Sequence, residues 1–190
     1  MVSSLGLYTG LIALVGVERL VELRLSERHA ARAFARGAVE VGRGHYRVMT
    51  VFHTAFLGAC VGEAWLLHRP FPAALGWAAL AGALLAQALR YWAITTLGER
   101  WNTRIIVLPD AEPVTAGPYR FLKHPNYPAV VAELACLPLV HGAWLTALTF
   151  SLGNAALLFV RIRAEESALG ARYATAFAGR NRFLPETPRA

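Results

Sequence analysis

The sequence predicts an all-α integral membrane protein of about five transmembrane helices, with a polar cytoplasmic loop before the fourth and a last helix that continues into the cytoplasm. Three observations carry this prediction. The 190 residues are 56% hydrophobic with a mean hydropathy of +0.41. Long apolar runs recur without the polar faces that soluble amphipathic helices of this length display. The basic residues, which give a net charge of +7, gather in alternate connections, the pattern of a multi-pass protein obeying the positive-inside rule.

The first span is expected from about Leu5 to Leu20. It opens without a basic residue and is followed by Arg24, Arg28, Arg32 and Arg36, the reverse of a secretory signal's charge order, so it reads as a retained helix. From Glu18 to Arg36 the helix is expected to leave the lipid as an amphipathic surface segment with a solvated basic face. A second span is read from about Tyr46 to Leu67 and a third from about Ala73 to Leu97. The turn His68-Arg69-Pro70-Phe71-Pro72 separates them, its two prolines breaking the helix. Arg90, Tyr91 and Trp92, near the end of the third, are expected as interfacial anchors. The run Arg104-Ile105-Ile106-Val107-Leu108, followed by Pro109 and Asp110, reads as a small hairpin or irregular cap. Pro128 to Val140 is the fourth span, short against the ~20 residues a bilayer asks for. The fifth begins near Ala143 and runs without proline to about Phe177, apolar first and charged later.

Placing the N-terminus outside puts the Arg24 to Arg47 connection, the Glu99 to Tyr127 loop and the C-terminal tail in the cytoplasm. The opposite turns then hold only Arg69. Lys123 is the only lysine among 19 basic residues, a usage that fits a high-GC bacterial genome and makes nucleic-acid binding a poor reading of the charge. The expected location is the bacterial cytoplasmic membrane. Cys60 and Cys136 both lie in apolar segments and read as core residues, not as a disulfide or metal site. No metal site is expected. A Gly-rich nucleotide fingerprint is absent, which argues against a soluble Rossmann-type cofactor domain. With no repeat, low-complexity tract or linker, residues 1–190 read as one domain, residues 1–89 supplying N-terminal helices and 90–185 the chemistry.

That chemistry centres on GPYRFLKHPNY, Gly117 to Tyr127. The segment combines a Gly-Pro turn, two prolines that fix the backbone, and six polar side chains within a few residues, a composition suited to a small polar ligand. A basic juxtamembrane loop is the plainer explanation of such a cluster. A second segment weighs against it: Arg161-Ile162-Arg163-Ala164-Glu165-Glu166, followed by Leu169, Gly170, Tyr173 and a closing Arg182-Phe183-Leu184-Pro185. Together the two closely resemble the G-x-Y-x-x-x-[RK]-H-P-x-Y signature and the R-x-x-x-E-E helix of the isoprenylcysteine carboxyl methyltransferase family. These are integral-membrane enzymes dependent on S-adenosyl-L-methionine. The resemblance covers roughly Arg90 to Pro185.

The resemblance implies that Tyr119, His124, Pro125, Asn126 and Tyr127 hold the cofactor, that Val114 touches it from the preceding segment, and that Glu165 does so from the last helix. It also implies that Arg161 faces the substrate. Lys123 stands where the family usually has arginine, which keeps the charge but loses the planar fork. Independently of the resemblance, 100° per residue places Asn154, Arg161 and Glu165 within about 20° of one face of the fifth helix. Such an intramembrane polar stripe faces a bundle interior or a water-filled cavity, so Asn154 joins Arg161 as a substrate-binding candidate. Arg161 and Glu165 are the catalytic candidates.

A sulfonium, an amino-acid carboxylate and an adenosine ask for an acid, hydrogen-bond donors and an aromatic wall. Glu165, His124 with backbone amides, and Tyr119 or Tyr127 can supply them. A carboxylate acceptor needs only orientation by Arg161, whereas a phenol or enol benefits from a base, for which Glu165 or His124 is a candidate. The expected activity is O-methylation of a lipophilic substrate from the bilayer: a long-chain phenol, pyrone or carboxylate. The second half looks most like bacterial members acting on long-chain polyketides. Membrane lipids are the expected surroundings, and no obligate protein partner is evident. Two rivals stay open: an NADPH-dependent membrane reductase of the sterol reductase kind, and a non-catalytic haem-binding or scaffold protein. His53 and His68, at opposite ends of one helix, cannot share one iron. Glu63 and Glu133 lie within spans and carry no assigned role.

Overall fold

A computed structural model describes residues 3–183; Leu184 and Pro185 of the tail motif lie outside them. Five helices carry the chain: α1 (Ser4–Ala35), α2 (Arg43–Leu66), α3 (Ala73–Leu97), α4 (Asn126–Leu139) and α5 (Trp144–Ala176). Two three-residue strands, β1 (Val39–Val41) and β2 (Ile105–Val107), and two short 3-10 turns, Gly98–Arg100 and Gly117–Arg120, complete it. The fold is therefore the all-α membrane architecture expected. Four of the helices, all but α4, are long and apolar enough to cross a bilayer.

The helices run alternately up and down. Ser4 at the start of α1 meets His141 beyond the end of α4, with His141 Nε2 3.3 Å from Ser4 Oγ. Near the end of α2, Glu63 accepts the backbone N–H groups of Leu145 and Thr146 at 3.2 and 2.6 Å. Glu63 thereby satisfies the open first turn of α5 from a neighbouring helix and also receives Arg69 Nε at 3.0 Å. An acidic residue in a span has a structural explanation here.

The core lies along α1, α2, α3 and α4 and includes Tyr8, Ile12, Phe56, Cys60, Ala79, Ala83, Leu134 and Leu137. Small residues set the closest approach. At Gly76 a Cβ would stand 2.6 Å from the Phe71 ring and 2.8 Å from the Val140 carbonyl oxygen, so α3 and the end of α4 touch almost backbone to backbone, the close packing that small residues give membrane helices. Leu14, Val17, Leu20, Val51, Leu84, Leu85 and Leu152 point outwards and are exposed, as a lipid-facing band requires.

The Glu18 to Arg36 stretch continues α1 with the solvated basic face expected, Arg24, Arg28, Arg32 and Arg36 being exposed, while Glu22, Ser26 and His29 on the same helix are buried. Two expectations are corrected. Arg90 is not an interfacial anchor. It is 8% exposed and holds Glu22 through two bonds, Nε at 2.8 Å and Nη2 at 2.7 Å, while Tyr91 and Trp92 are exposed. Finally, β2 forms no hairpin of its own. It pairs antiparallel with β1, Ile105 opposite Val41 and Val107 opposite Val39, because the α1–α2 and α3–α4 connections meet at the same end of the bundle.

Candidate active site

At that end the loop after α3 is fastened to α1. Ser26 Oγ accepts the Thr103 N–H at 3.1 Å and bonds Asn102 Oδ1 at 2.9 Å, while Asn102 Nδ2 donates to the Ser26 carbonyl at 2.9 Å. The Trp101 carbonyl accepts His29 Nδ1–H at 2.8 Å. With α1 and the loop so fixed, β2 and the Pro109 to Val114 segment form one wall of a cavity of about 440 Å³, a volume in the range of small-molecule sites.

The opposite wall is the GPYRFLKHPNY segment. Gly117 takes φ +53° and lets the chain turn into the 3-10 turn that buries Pro118 and Tyr119. Pro125 precedes the first residue of α4 and is fully buried. Asn126 and Tyr127, the first two residues of that helix, then face the cavity. Val114, Tyr119, His124, Asn126, Tyr127, Arg161 and Glu165 all line it. Burial, reinforced by the charge of Glu165, holds the Tyr119 phenol well above its usual range, so it stays a neutral donor. Two of the expected residues stand elsewhere: Pro125 does not line the cavity, and Asn154, 1% exposed, lines neither it nor its neighbour.

Tyr127 is the hub. Its hydroxyl donates to Glu165 and accepts Arg161 Nε–H at 3.1 Å. The rest of the Arg161 fork is nearly committed, Nη2 to the Thr103 carbonyl at 2.8 Å and Nη1 to the Met49 sulfur at 3.7 Å. A thioether is a weak acceptor, which leaves Nη1 as the donor free to exchange partners.

The sequence reading missed a second carboxylate system. His124 Nε2 lies 3.2 Å from Glu166 Oε1, and Arg182 grips both oxygens of Glu166 at 2.9 and 2.5 Å. Asn181 and Lys123 join backbone to backbone at 3.0 Å, and the Tyr173 hydroxyl donates to the Lys123 carbonyl at 2.9 Å. The Tyr173 and Phe177 rings pack tilted at 4.5 Å between centroids, beside His124 and Tyr119. The chain returns this way because α5 breaks at Gly170, whose φ 69° and ψ −163° are open to glycine alone. The signal lay in the adjacent Glu165 and Glu166: successive helical residues diverge by about 100°, so one faces the cavity and the other the returning tail.

Behind Tyr127 and Arg161 lies a second, smaller cavity of about 180 Å³, between the helices. Trp101, Asn102, Asn126, Tyr127 and Arg161 belong to both linings and form the partition. Met49, His53, Leu57, Val130 and Leu158 line the inner cavity, as do Thr50 and Thr54. These two threonines are exposed on α2, so the inner cavity reaches the side of the bundle, where lipid lies, as well as the partition. Asn126 Oδ1, on that partition, is buried with no hydrogen-bond partner among the described residues. A buried carbonyl left this way calls for a donor from a ligand.

The profile of the isoprenylcysteine carboxyl methyltransferase (ICMT) family matches residues 77–171 of the chain. Among curated relatives, YpbQ of Bacillus subtilis (strain 168), an uncharacterized protein, is 39% identical over 160 residues, 84% of this chain and 94% of its own. An uncharacterized protein of Haemophilus influenzae is 31% identical over 152 residues, 80% of this chain and 88% of its own. The family match starts before Arg90 and stops short of the tail that carries Arg182.

Proposed function

We propose, from the premise that this chain belongs to the isoprenylcysteine carboxyl methyltransferase family of membrane methyltransferases, that it transfers a methyl group from S-adenosyl-L-methionine to an oxygen of a lipophilic acceptor at the cytoplasmic face of a bacterial inner membrane. The observation that carries the reading is the partition: one chain of hydrogen bonds, Arg161 to Tyr127 to Glu165, separates a polar cavity at the helix ends from an inner cavity open towards lipid.

The residues present fit the cofactor. Glu165 offers a carboxylate for a cation or ribose hydroxyls, the orphaned Asn126 carbonyl oxygen asks for an N–H donor, and Tyr119, Tyr173 and Phe177 offer an aromatic wall. Val114, His124 and Tyr127 complete the contacts, and Pro125 holds the backbone of that wall in place. When bound, S-adenosyl-L-methionine supplies an electrophilic methyl group, so the protein's task is positioning and water exclusion. Tyr127 fixes Glu165 and Arg161 relative to each other. The Arg182–Glu166 clasp seats the tail over His124, and Arg161 Nη1 is the donor available to an acceptor oxygen in the inner cavity. Asn154, buried two turns before Arg161 on α5, lies outside both cavities and is given no contact with the acceptor.

Calorimetry of S-adenosylhomocysteine with the detergent-purified protein tests this, beside Glu165→Ala and Tyr127→Ala and with NADPH as the control ligand. Saturable binding lost in both variants is expected. No binding to folded protein overturns the reading, and NADPH binding in its place assigns the site to a reductase.

A further inference from the structure

The inner cavity contains a titratable side chain that the proposed mechanism does not use. His53 Nδ1 is 2.8 Å from the Met49 carbonyl oxygen. A carbonyl only accepts, so Nδ1 carries the proton, and Nε2 of the neutral ring keeps its lone pair. The same Met49 presents its sulfur to Arg161 Nη1 at 3.7 Å. One residue of α2 thus stands against both the least committed donor of Arg161 and the ring that carries a free base, on the wall of one cavity.

The charged groups around the ring are paired with one another, which leaves Nε2 as the base open to the cavity. Arg19, Glu22, Arg90, Glu133 and Arg161 all line this cavity. Arg90 is bound to Glu22, and Arg19 bonds Glu22 at 2.6 Å and Glu133 at 3.3 Å. Glu18 meets Arg19 at 3.4 Å and also receives Tyr91. Glu22 and Glu133 thus face Arg19, Arg90 and Arg161 across this cavity, each guanidinium held by a carboxylate or by Tyr127, and Tyr46, from α2, lines the same cavity. The other candidate bases are engaged: Glu165 accepts from Tyr127, and His124 Nε2 is against Glu166.

We propose that His53 is the general base of the reaction, taking the proton of an acceptor hydroxyl held between His53 Nε2 and Arg161 Nη1. The inference rests on the methyltransferase reading. The step is balanced: the hydroxyl proton passes to Nε2, the acceptor oxygen bonds to the methyl carbon as the carbon–sulfur bond breaks, and the sulfonium becomes a neutral thioether. The imidazolium then returns its proton to water. A carboxylate acceptor, already ionised, would make no use of His53, and the Arg161 fork has too few free donors to hold one by both oxygens.

The test uses a lipophilic alkyl-nitrophenol, whose absorption reports its ionisation, added to the full-length protein in detergent without cofactor. The wild-type protein is expected to bind it as phenolate at a pH where the free compound is mostly protonated, and His53→Gln is expected not to. In methyl transfer, His53→Gln loses at least about 100-fold with a weakly acidic phenol, the loss shrinks as the acceptor becomes more acidic, and S-adenosylhomocysteine binding is unchanged. Probe bound in protonated form by the folded wild type, equal ionisation in the variant, or a loss independent of acceptor acidity overturns the role of His53. A wild-type protein that binds S-adenosylhomocysteine and transfers methyl groups while showing any of these leaves the methyltransferase reading standing.

Discussion

Tyr127 has the most consequential single hydroxyl in the molecule. It satisfies a carboxylate on one side and a buried guanidinium on the other, so its removal leaves Arg161 Nε and a Glu165 oxygen without a partner. Tyr127→Phe is expected to weaken S-adenosylhomocysteine binding by roughly 10-fold, the scale of one lost hydrogen bond to charged groups, and to lower methyl transfer further by loosening Arg161. Calorimetry beside a single-turnover assay separates the two, and an unchanged affinity would deny Glu165 its place in the cofactor site. Arg90 belongs to another class of residue. With Glu22 5% exposed, Arg90→Ala leaves a buried carboxylate dependent on Arg19 alone. A loss of about 3–5 kcal/mol is expected, as for broken buried pairs, read as a fall in thermal unfolding temperature. Replacing Glu22 and Arg90 together by Leu and Met should recover most of it, because no uncompensated charge then remains.

Among the elements, the segment after Gly170 departs most from what a helical pattern foretells. The sequence shows α5 running unbroken to about Phe177, with Gly170 as one more residue, yet that glycine turns the chain so that Phe177 packs on Tyr173 and Tyr119 and Arg182 reaches Glu166. A Cβ there would meet no atom within 4 Å, so Gly170→Ala acts through the backbone alone, at about 1–3 kcal/mol. Its expected signature is a lower unfolding temperature in the ligand-free protein and a larger drop with S-adenosylhomocysteine bound. An equal loss with and without ligand would show that the tail does not close the site. The same contrast marks what was legible in the sequence. Apolar runs revealed the helices to within a few residues, because lipid demands them. The GPYRFLKHPNY and Glu165–Glu166 motifs revealed which loop and helix end meet, because Pro125, Asn126 and Tyr127 are ordered by local chain stiffness. The pairing of β1 with β2 and of Glu22 with Arg90 was not legible, since each joins residues more than sixty apart through the packing of the bundle. A signal was nevertheless present: Glu18, Glu22, Ser26 and His29 recur at helical spacing along one face of α1.

For the whole molecule the decisive question is whether α4 crosses the membrane. Its 14 residues reach about 21 Å at 1.5 Å per residue, against a hydrocarbon core of about 30 Å. A lone helix of that length would not span. Here α4 packs between α3 and α5, begins among the site residues, and ends beside Ser4, Arg69 and Trp144 at the far end of the bundle. It therefore runs from one set of helix ends to the other, its shortfall covered by protein and by the turns that flank it. Five passes predict termini on opposite sides. With Arg24, Arg28, Arg32, Arg36, Arg100 and Arg104 at the end that carries the site, the positive-inside rule predicts that end and the C-terminus in the cytoplasm. Reporter fusions test this: a C-terminal fusion to a reporter that folds only in the cytoplasm is expected to be active, and an N-terminal tag to be accessible only from outside. Termini on the same side would make α4 re-entrant and remove the basis for the alternating bundle. A C-terminus outside would separate the Glu165 cavity from cytoplasmic S-adenosyl-L-methionine, and the function proposed here would fail with it.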